Sequence, residues 1–277
     1  MMRVMELLGY TFFQYALAGC FLASVVCGVV GTYVVTKRMI FISGGITHSS
    51  LGGVGLGLYF GISPIVGASL FSVMSGLGIE WLSRRRGVRE DSAIAMFWTF
   101  GMSVGVMFSY LTPGYVPDLT TYLFGNILTI DDGDLIYLGV LAVAVTTFYV
   151  IYRRLVVLVA FDEDYARSLR LPVTLFKYVM TVSISLAVVS CIRIAGIVLT
   201  LSMLTVPVMT AMLFTTRYSR IIVLSVIICF VTCVSGLGLA YQVNIPSGTS
   251  IIFLSIILYA VIRLSCRFVC KGNKSAV

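Results

Sequence analysis

The amino-acid sequence predicts an all-α protein, a polytopic helical membrane protein with roughly eight to nine transmembrane helices. Three observations predict it. The 277 residues are 59% hydrophobic and only 11% charged, with mean hydropathy +1.06. A water-soluble domain of this length needs far more charge to cover its exposed shell. Residues 7–36, 39–79, 92–117, 194–216 and 221–262 contain no Asp, Glu, Lys or Arg. About 20 apolar residues cross a bilayer as a helix, so the longest runs must hold two spans each. Between the runs the bases gather at Lys37-Arg38, Arg84-Arg85-Arg86, Arg153-Arg154, Arg167 with Arg170, Arg217 with Arg220, and residues 263–274. That alternation is the pattern of cytoplasmic loops, and it accounts for the net charge of +8 without nucleic acid.

Taken in order, span one (11–36) runs inward to Lys37-Arg38, and span two (43–61) returns outward to the turn Gly61-Ile62-Ser63-Pro64. Span three (64–82) comes in to the arginine triplet; span four (92–111) goes out to Thr112-Pro113-Gly114. Span five (135–152) returns to Arg153-Arg154, span six (173–191) goes out, and span seven (196–215) comes in to Arg217. Span eight (221–240) exits to Asn244-Ile245-Pro246-Ser247-Gly248, and span nine (249–265) leaves the C-terminus cytoplasmic and the N-terminus outside. Residues 118–130 are amphipathic, re-entrant or surface-lying, and Arg193 falls on the outer side against the charge rule. Ala16-Leu17-Ala18 looks like a signal-peptide cleavage site, but the apolar run continues to Thr36 and the charged n-region is weak, which favours a retained span.

Several chemistries are excluded by what is missing. No Gly-Lys dipeptide occurs, so there is no Walker A loop to cradle a nucleotide. With one histidine there is neither an HExxH motif nor a multi-histidine zinc site within one chain. Cys20, Cys27, Cys229 and Cys233 lie inside spans, where free thiols behave as small apolar groups. Cys229 and Cys233 share a helix face, so packing and a soft-metal pair are both open; Cys266 and Cys270, beside cytoplasmic bases, fit packing or palmitoylation.

The lone His48 is the most informative residue. Gly45, Ser49, Gly53, Gly57 and Gly61 recur every four positions, a small-residue face that lets a neighbouring helix approach closely. His48 lies beside that face. A titratable ring inside a bilayer is costly unless it meets a partner or water, so function and helix-fixing hydrogen bonding compete as readings. Neutral imidazole ligates zinc, manganese and iron, and Thr47, Ser49 and Ser50 add hydroxyls for a polar pathway. The stretch FDEDYARSLRLPV (161–173) has acids first and Arg167 and Arg170 later, matching the dipole of a short cytoplasmic helix. Leu169 and Leu171 would be unexplained on a free loop, so it reads as an interfacial helix or a docking element. Asp118, Asp131, Asp132 and Asp134 give the outer loop a negative charge that concentrates cations, docks a partner, or only complements the basic inner side.

In order, GGITHSSLGGVGLGL (44–58), REDSAIAMFWTFGMSVGVMF (89–108), DLTTYLFGNILTI (118–130), DEDYARSLRLPV (162–173), IAGIVLTLSMLTVPVMTAML (194–213) and NIPSG (244–248) resemble the permease subunits of ABC transporters for divalent metal ions such as zinc, manganese and iron. The resemblance implies an ABC importer permease fold over 1–277 as a single transmembrane domain, working as a homodimer. It also implies separate cytoplasmic ATPase subunits that alone bind ATP, and an extracytoplasmic metal-binding protein. On this resemblance no cofactor is tightly bound, the chain is not itself an enzyme, and Zn2+ or Mn2+ is the cargo. The family's coupling helix, which fits into the ATPase, maps within 160–172, with Asp162, Glu163, Ala166 and Leu171 matching its pattern. His48 is then a transit ligand for the metal. One departure stands out: family members usually carry Asp one turn before the His, and here that position is Gly44. A ligand from elsewhere, a weak transit site, or a different cargo would each account for it.

The competing class is an ATPase-independent secondary transporter or channel for cations. It needs intramembrane acids or broken, charge-lined helices, and the spans contain almost none. An intramembrane enzyme would need paired carboxylates or a Ser/His dyad at evident spacing, and neither is found.

Overall fold

The computed structural model describes residues 10–85, 88–113, 125, 127 and 130–272. Among them the chain is helical and lacks strands: α1 (Thr11–Thr36), α2 (Ile40–Phe60), α3 (Pro64–Arg85), α4 (Glu90–Leu111), α5 (Asp132–Phe161), α6 (Glu163–Ser168), α7 (Val173–Met212), α8 (Tyr218–Val243) and α9 (Ser247–Gly272). Eight described helical segments are long and apolar enough to cross a membrane, counting Val173–Ile192 and Ala195–Met212 separately. The remaining long helix, α2, corresponds to the expected second span. Its 21 residues reach about 31 Å at 1.5 Å per residue, but its glycines, hydroxyls and histidine lower its hydropathy. Large apolar side chains such as Leu70, Met74, Phe100, Tyr110, Val140, Val143 and Phe253 face outward, which suits a lipid or partner environment.

Helix α1 is the buried axis, packed by α5, α7 and α8, with Cys20, Val26, Cys27, Tyr33 and Val34 enclosed. Hydroxyls in such helices bond back to their own turn: Ser24 Oγ donates to the Cys20 carbonyl at 2.6 Å and Thr32 Oγ1 to the Gly28 carbonyl at 2.7 Å. In an apolar surrounding this satisfies the polar group at no packing cost. Helix ends follow the same rule. Met39 N–H bonds the Val34 carbonyl at 2.8 Å and Arg38 N–H the Val35 carbonyl at 3.1 Å, closing α1 with a left-handed residue, Arg38, at φ 61°.

Two elements differ from the expected boundaries. The fifth span is longer: α5 has 30 residues and continues past Arg153-Arg154 to Phe161, bent where Tyr152 leaves helical geometry at φ −99°, ψ 18°. Spans six and seven are the two halves of one 40-residue element, broken at Gly196 with φ 76° and ψ 169°. The halves run antiparallel. Lys177 in the first half shares the Glu163 carboxylate with Lys37, while Val35, two residues before Lys37, packs against the cluster of Val208, Ala211 and Ile221, which holds the other end. Gly125, also left-handed at φ 60°, lies against the Ala195–Gly196 backbone, and Ile127 is buried in the core. At these two positions the amphipathic 118–130 segment enters the bundle.

Helix α2 is clasped on two sides. A Cβ on Gly45 would meet Ile94 Cγ2 at 2.7 Å, and Gly101 of α4 sits against Ser49 with only 2.5 Å to spare from its own would-be Cβ to Ser49 Cα. Gly53 and Gly57 turn instead to α3, against Gly67 and Pro64. Gly52 faces the Gly101 carbonyl at 2.8 Å, and Gly55 meets Gly105, so the small residues wrap around the helix rather than forming one stripe. Gly61 is a correction: a Cβ there would touch nothing, and the residue serves as the left-handed end of α2 at φ 67°.

Candidate metal pathway and coupling site

His48 lies two turns into α2, at the seam with α4. Its ring stacks on the indole of Trp98, centroids 4.2 Å apart and planes within 7°. Trp98 is itself anchored one turn on, its Nε1–H donating to Met102 Sδ at 3.1 Å. His48 is partly exposed, while Nδ1 is buried with no protein partner. The hydroxyls expected beside it are turned onto their own helix. Thr47, Ser49 and Ser50 are buried, and they donate to the Ser43, Ile46 and Thr47 carbonyls at 2.6, 3.0 and 2.6 Å. Helix propensity explains this, because an intramembrane hydroxyl without an outside partner folds back on its own turn.

Across the seam, the second half of α7 faces Gly44. A Cβ at Gly44 would stand 3.8 Å from Leu201 Cδ2, ordinary contact distance, so the position has room for one. Ser202, beside Leu201, has a buried Oγ with no protein partner. Among the described residues no three His, Cys, Asp or Glu side chains converge to hold an ion. Among the described residues the seam presents a single imidazole backed by an aromatic face.

The outer acids have structural duties. Asp131 caps α5 by accepting from Asp134 N–H at 2.8 Å, and Asp134 accepts from Asp131 N–H at 3.3 Å. This reciprocal capping box places negative charge at a helix N-terminus. Asp132 accepts from Tyr15 Oη at 2.6 Å, which fastens α5 to the start of α1. Asp118 lies outside the described residues.

At the opposite end, Asp162 Oδ1 caps α6 by accepting from Tyr165 N–H at 2.9 Å. Ala166 is fully buried, and Leu171 packs on the core while its N–H bonds the Ala166 carbonyl at 3.3 Å. Glu163 also turns inward. Its Oε2 accepts from Lys37 Nζ at 3.0 Å and Lys177 Nζ at 2.6 Å, and its Oε1 from Arg167 at 2.8 Å. Burial pushes this carboxyl up, but the hydrogen bonds from Lys177, Arg167 and Lys37 outweigh it and hold the pKa down at about 2. All four pattern-matched residues thus position α6. Outward-facing on α6 are Asp164, Tyr165 and Arg167, flanked by the exposed Phe161 at the end of α5 and Leu169 at the C-cap. Sequence reading missed Trp98, Met102, Lys37 and Lys177. Trp98 lies on a different helix from His48, and nothing local marks it as the histidine's partner or the lysines as partners of Glu163.

A bundle of helices long and apolar enough to cross a membrane, with a lone histidine on a glycine-clasped inner helix and a short capped helix held beside the turn that leads into it, is the architecture of a polytopic membrane protein. Residues 9–265 match the ABC 3 transport family, and the chain belongs to it. It is 35% identical over 238 residues to a Chlamydia pneumoniae protein named "Probable metal transport system membrane protein", covering 84% of this chain and 81% of that one. It is 30% identical over 256 residues to the manganese transport system membrane protein MntC of Halalkalibacterium halodurans, covering 92% and 87%. Among solved structures it resembles PsaBC from Streptococcus pneumoniae in complex with Fab, with TM-score 0.84, 25% identity, and 94% and 93% of the two chains covered.

Proposed function

We propose that this chain is the permease of an ATP-driven importer that passes a divalent transition metal, manganese or zinc, inward across the cell membrane. His48 is the transit ligand. The observation that carries the reading is the single imidazole, partly exposed and held on Trp98 at 4.2 Å, in the stretch that resembles the family's motif. Relatives named for manganese transport support manganese as the first cargo to test. A separate ATPase hydrolyses ATP and docks on α6 at the basic end of the bundle, where Tyr165 and the flanking Phe161 and Leu169 are exposed beside Asp164 and Arg167. An extracytoplasmic binding protein delivers the metal, a second copy of the chain completes the pathway, and the C-terminus is cytoplasmic. With no carboxylate at 44, the site binds weakly, which suits a conduit that must release.

The test is uptake of manganese and of zinc into proteoliposomes containing this chain with its ATPase and binding protein. His48→Ala should cut ATP-dependent uptake by about tenfold or more, with the assembly and its thermal stability preserved. Unchanged uptake would make His48 a packing residue. Uptake that persists without ATP or the ATPase would favour the secondary-transporter class.

A further inference from the structure

We propose that Glu163 is a positioning residue for transport, tying the docked short helix to the helices that form the pathway. The inference rests on ATPase docking at α6 as proposed above. Helix α6 has six residues, too few to hold itself as an independent helix. Beyond its chain connections, Ala166 and the Glu163 carboxylate join it to the spans. Among the described residues, Glu163 makes the only ion pairs between α6 and a membrane helix. These pairs are mostly shielded: the side chains of Glu163, Lys37 and Lys177 are 19%, 18% and 20% exposed, so salt screens them less than surface pairs.

Where the two lysines sit gives the tie its use. Lys37 is the residue that ends α1, and its Nζ also donates to the Val159 carbonyl of α5 at 3.0 Å. The Lys37–Met39 turn is fixed by backbone bonds to Tyr33, Val34 and Val35, and α2 begins directly after it at Ile40. His48 follows two turns later on that helix. Lys177 stands near the start of α7, whose second half faces Gly44. One carboxylate therefore grips the turn that leads into α2, which carries His48, and the start of α7, whose second half faces Gly44. A displacement of α6 pulls the α1–α2 turn and α7 together, and close-packed interiors pass such a shift on rather than absorb it.

The test uses the complex with ATPase and binding protein in proteoliposomes, reading metal uptake and ATP hydrolysis on one preparation and assembly by co-purification. Three variants are compared: Glu163→Gln, Glu163→Asp, and the double Lys37→Met/Lys177→Met, which cuts the tie but keeps the Glu163–Arg167 pair within α6. Expected for Gln and for the double variant is retained assembly, continued hydrolysis, and a fall of about fivefold or more in metal moved per ATP. Glu163→Asp should fall between these and the wild type. An unchanged ratio, with uptake and hydrolysis either normal or falling in parallel, overturns the tie. Should the folded Gln and double variants both fail to bind the ATPase, Glu163 is a docking element and the tie is likewise overturned. No ATPase association by the wild type would instead overturn the docking reading, and the tie with it.

Discussion

At the scale of residues, the pathway candidate is a pair of rings and an adjacent vacancy in chemistry. Trp98 gives His48 a flat apolar wall and is itself held by Met102 at 3.1 Å, so the imidazole is oriented by stacking rather than by a hydrogen bond. One turn earlier, Gly44 leaves out the carboxylate that the family pattern supplies, while 3.8 Å to Leu201 leaves room for a Cβ. Gly44→Asp should therefore fold and bind divalent metal about tenfold more tightly or better, roughly 1.4 kcal/mol. Titration of the purified complex with manganese measures this, and slower release under turnover is the expected companion effect. No gain in affinity would mean that the 44 and 48 side chains do not share an ion.

Elements fix where those residues can stand. The clasp of α2 by α3 and α4 depends on backbones meeting at Gly53, Gly67, Gly52, Gly101, Gly55 and Gly105. The break in α7 depends on Gly196, whose φ of 76° with ψ of 169° is open only to glycine at low cost. Gly196→Ala should destabilise the fold by about 1–3 kcal/mol. Gly61→Asn is the matched control: its φ of 67° is left-handed too, but asparagine tolerates that region and the site has open space. Thermal unfolding in detergent should show a clear loss for Gly196→Ala and little change for Gly61→Asn. The reverse order would contradict the antiparallel reading of α7.

For the whole molecule, the end that carries α6 is held by Glu163 against Lys37, Arg167 and Lys177, and this sets a pH dependence. The folded pKa of about 2 lies below the ordinary 4.5, so the carboxylate's stabilisation is complete above pH 4.5 and is lost as pH falls from there through about 2. The stability difference between wild type and Glu163→Gln should be flat from neutral pH to about 5 and shrink below 4.5; a difference that changed near neutrality would assign the linkage to another group. Much of this molecule was legible in its sequence. Charge-free runs and basic clusters determined the spans and their alternation, because a bilayer tolerates only apolar, internally bonded helices. The turn residues Gly61 and Asn244 marked helix ends, and the family motifs marked His48 and α6. Tertiary structure alone decided the rest. It alone turned Thr47, Ser49 and Ser50 onto their own backbone, set Trp98 over His48, joined two spans at Gly196, and faced Glu163 inward with Tyr165 outward. These are contacts between segments far apart in the chain, set by packing and by the pairing of charges, and no local period or spacing encodes them.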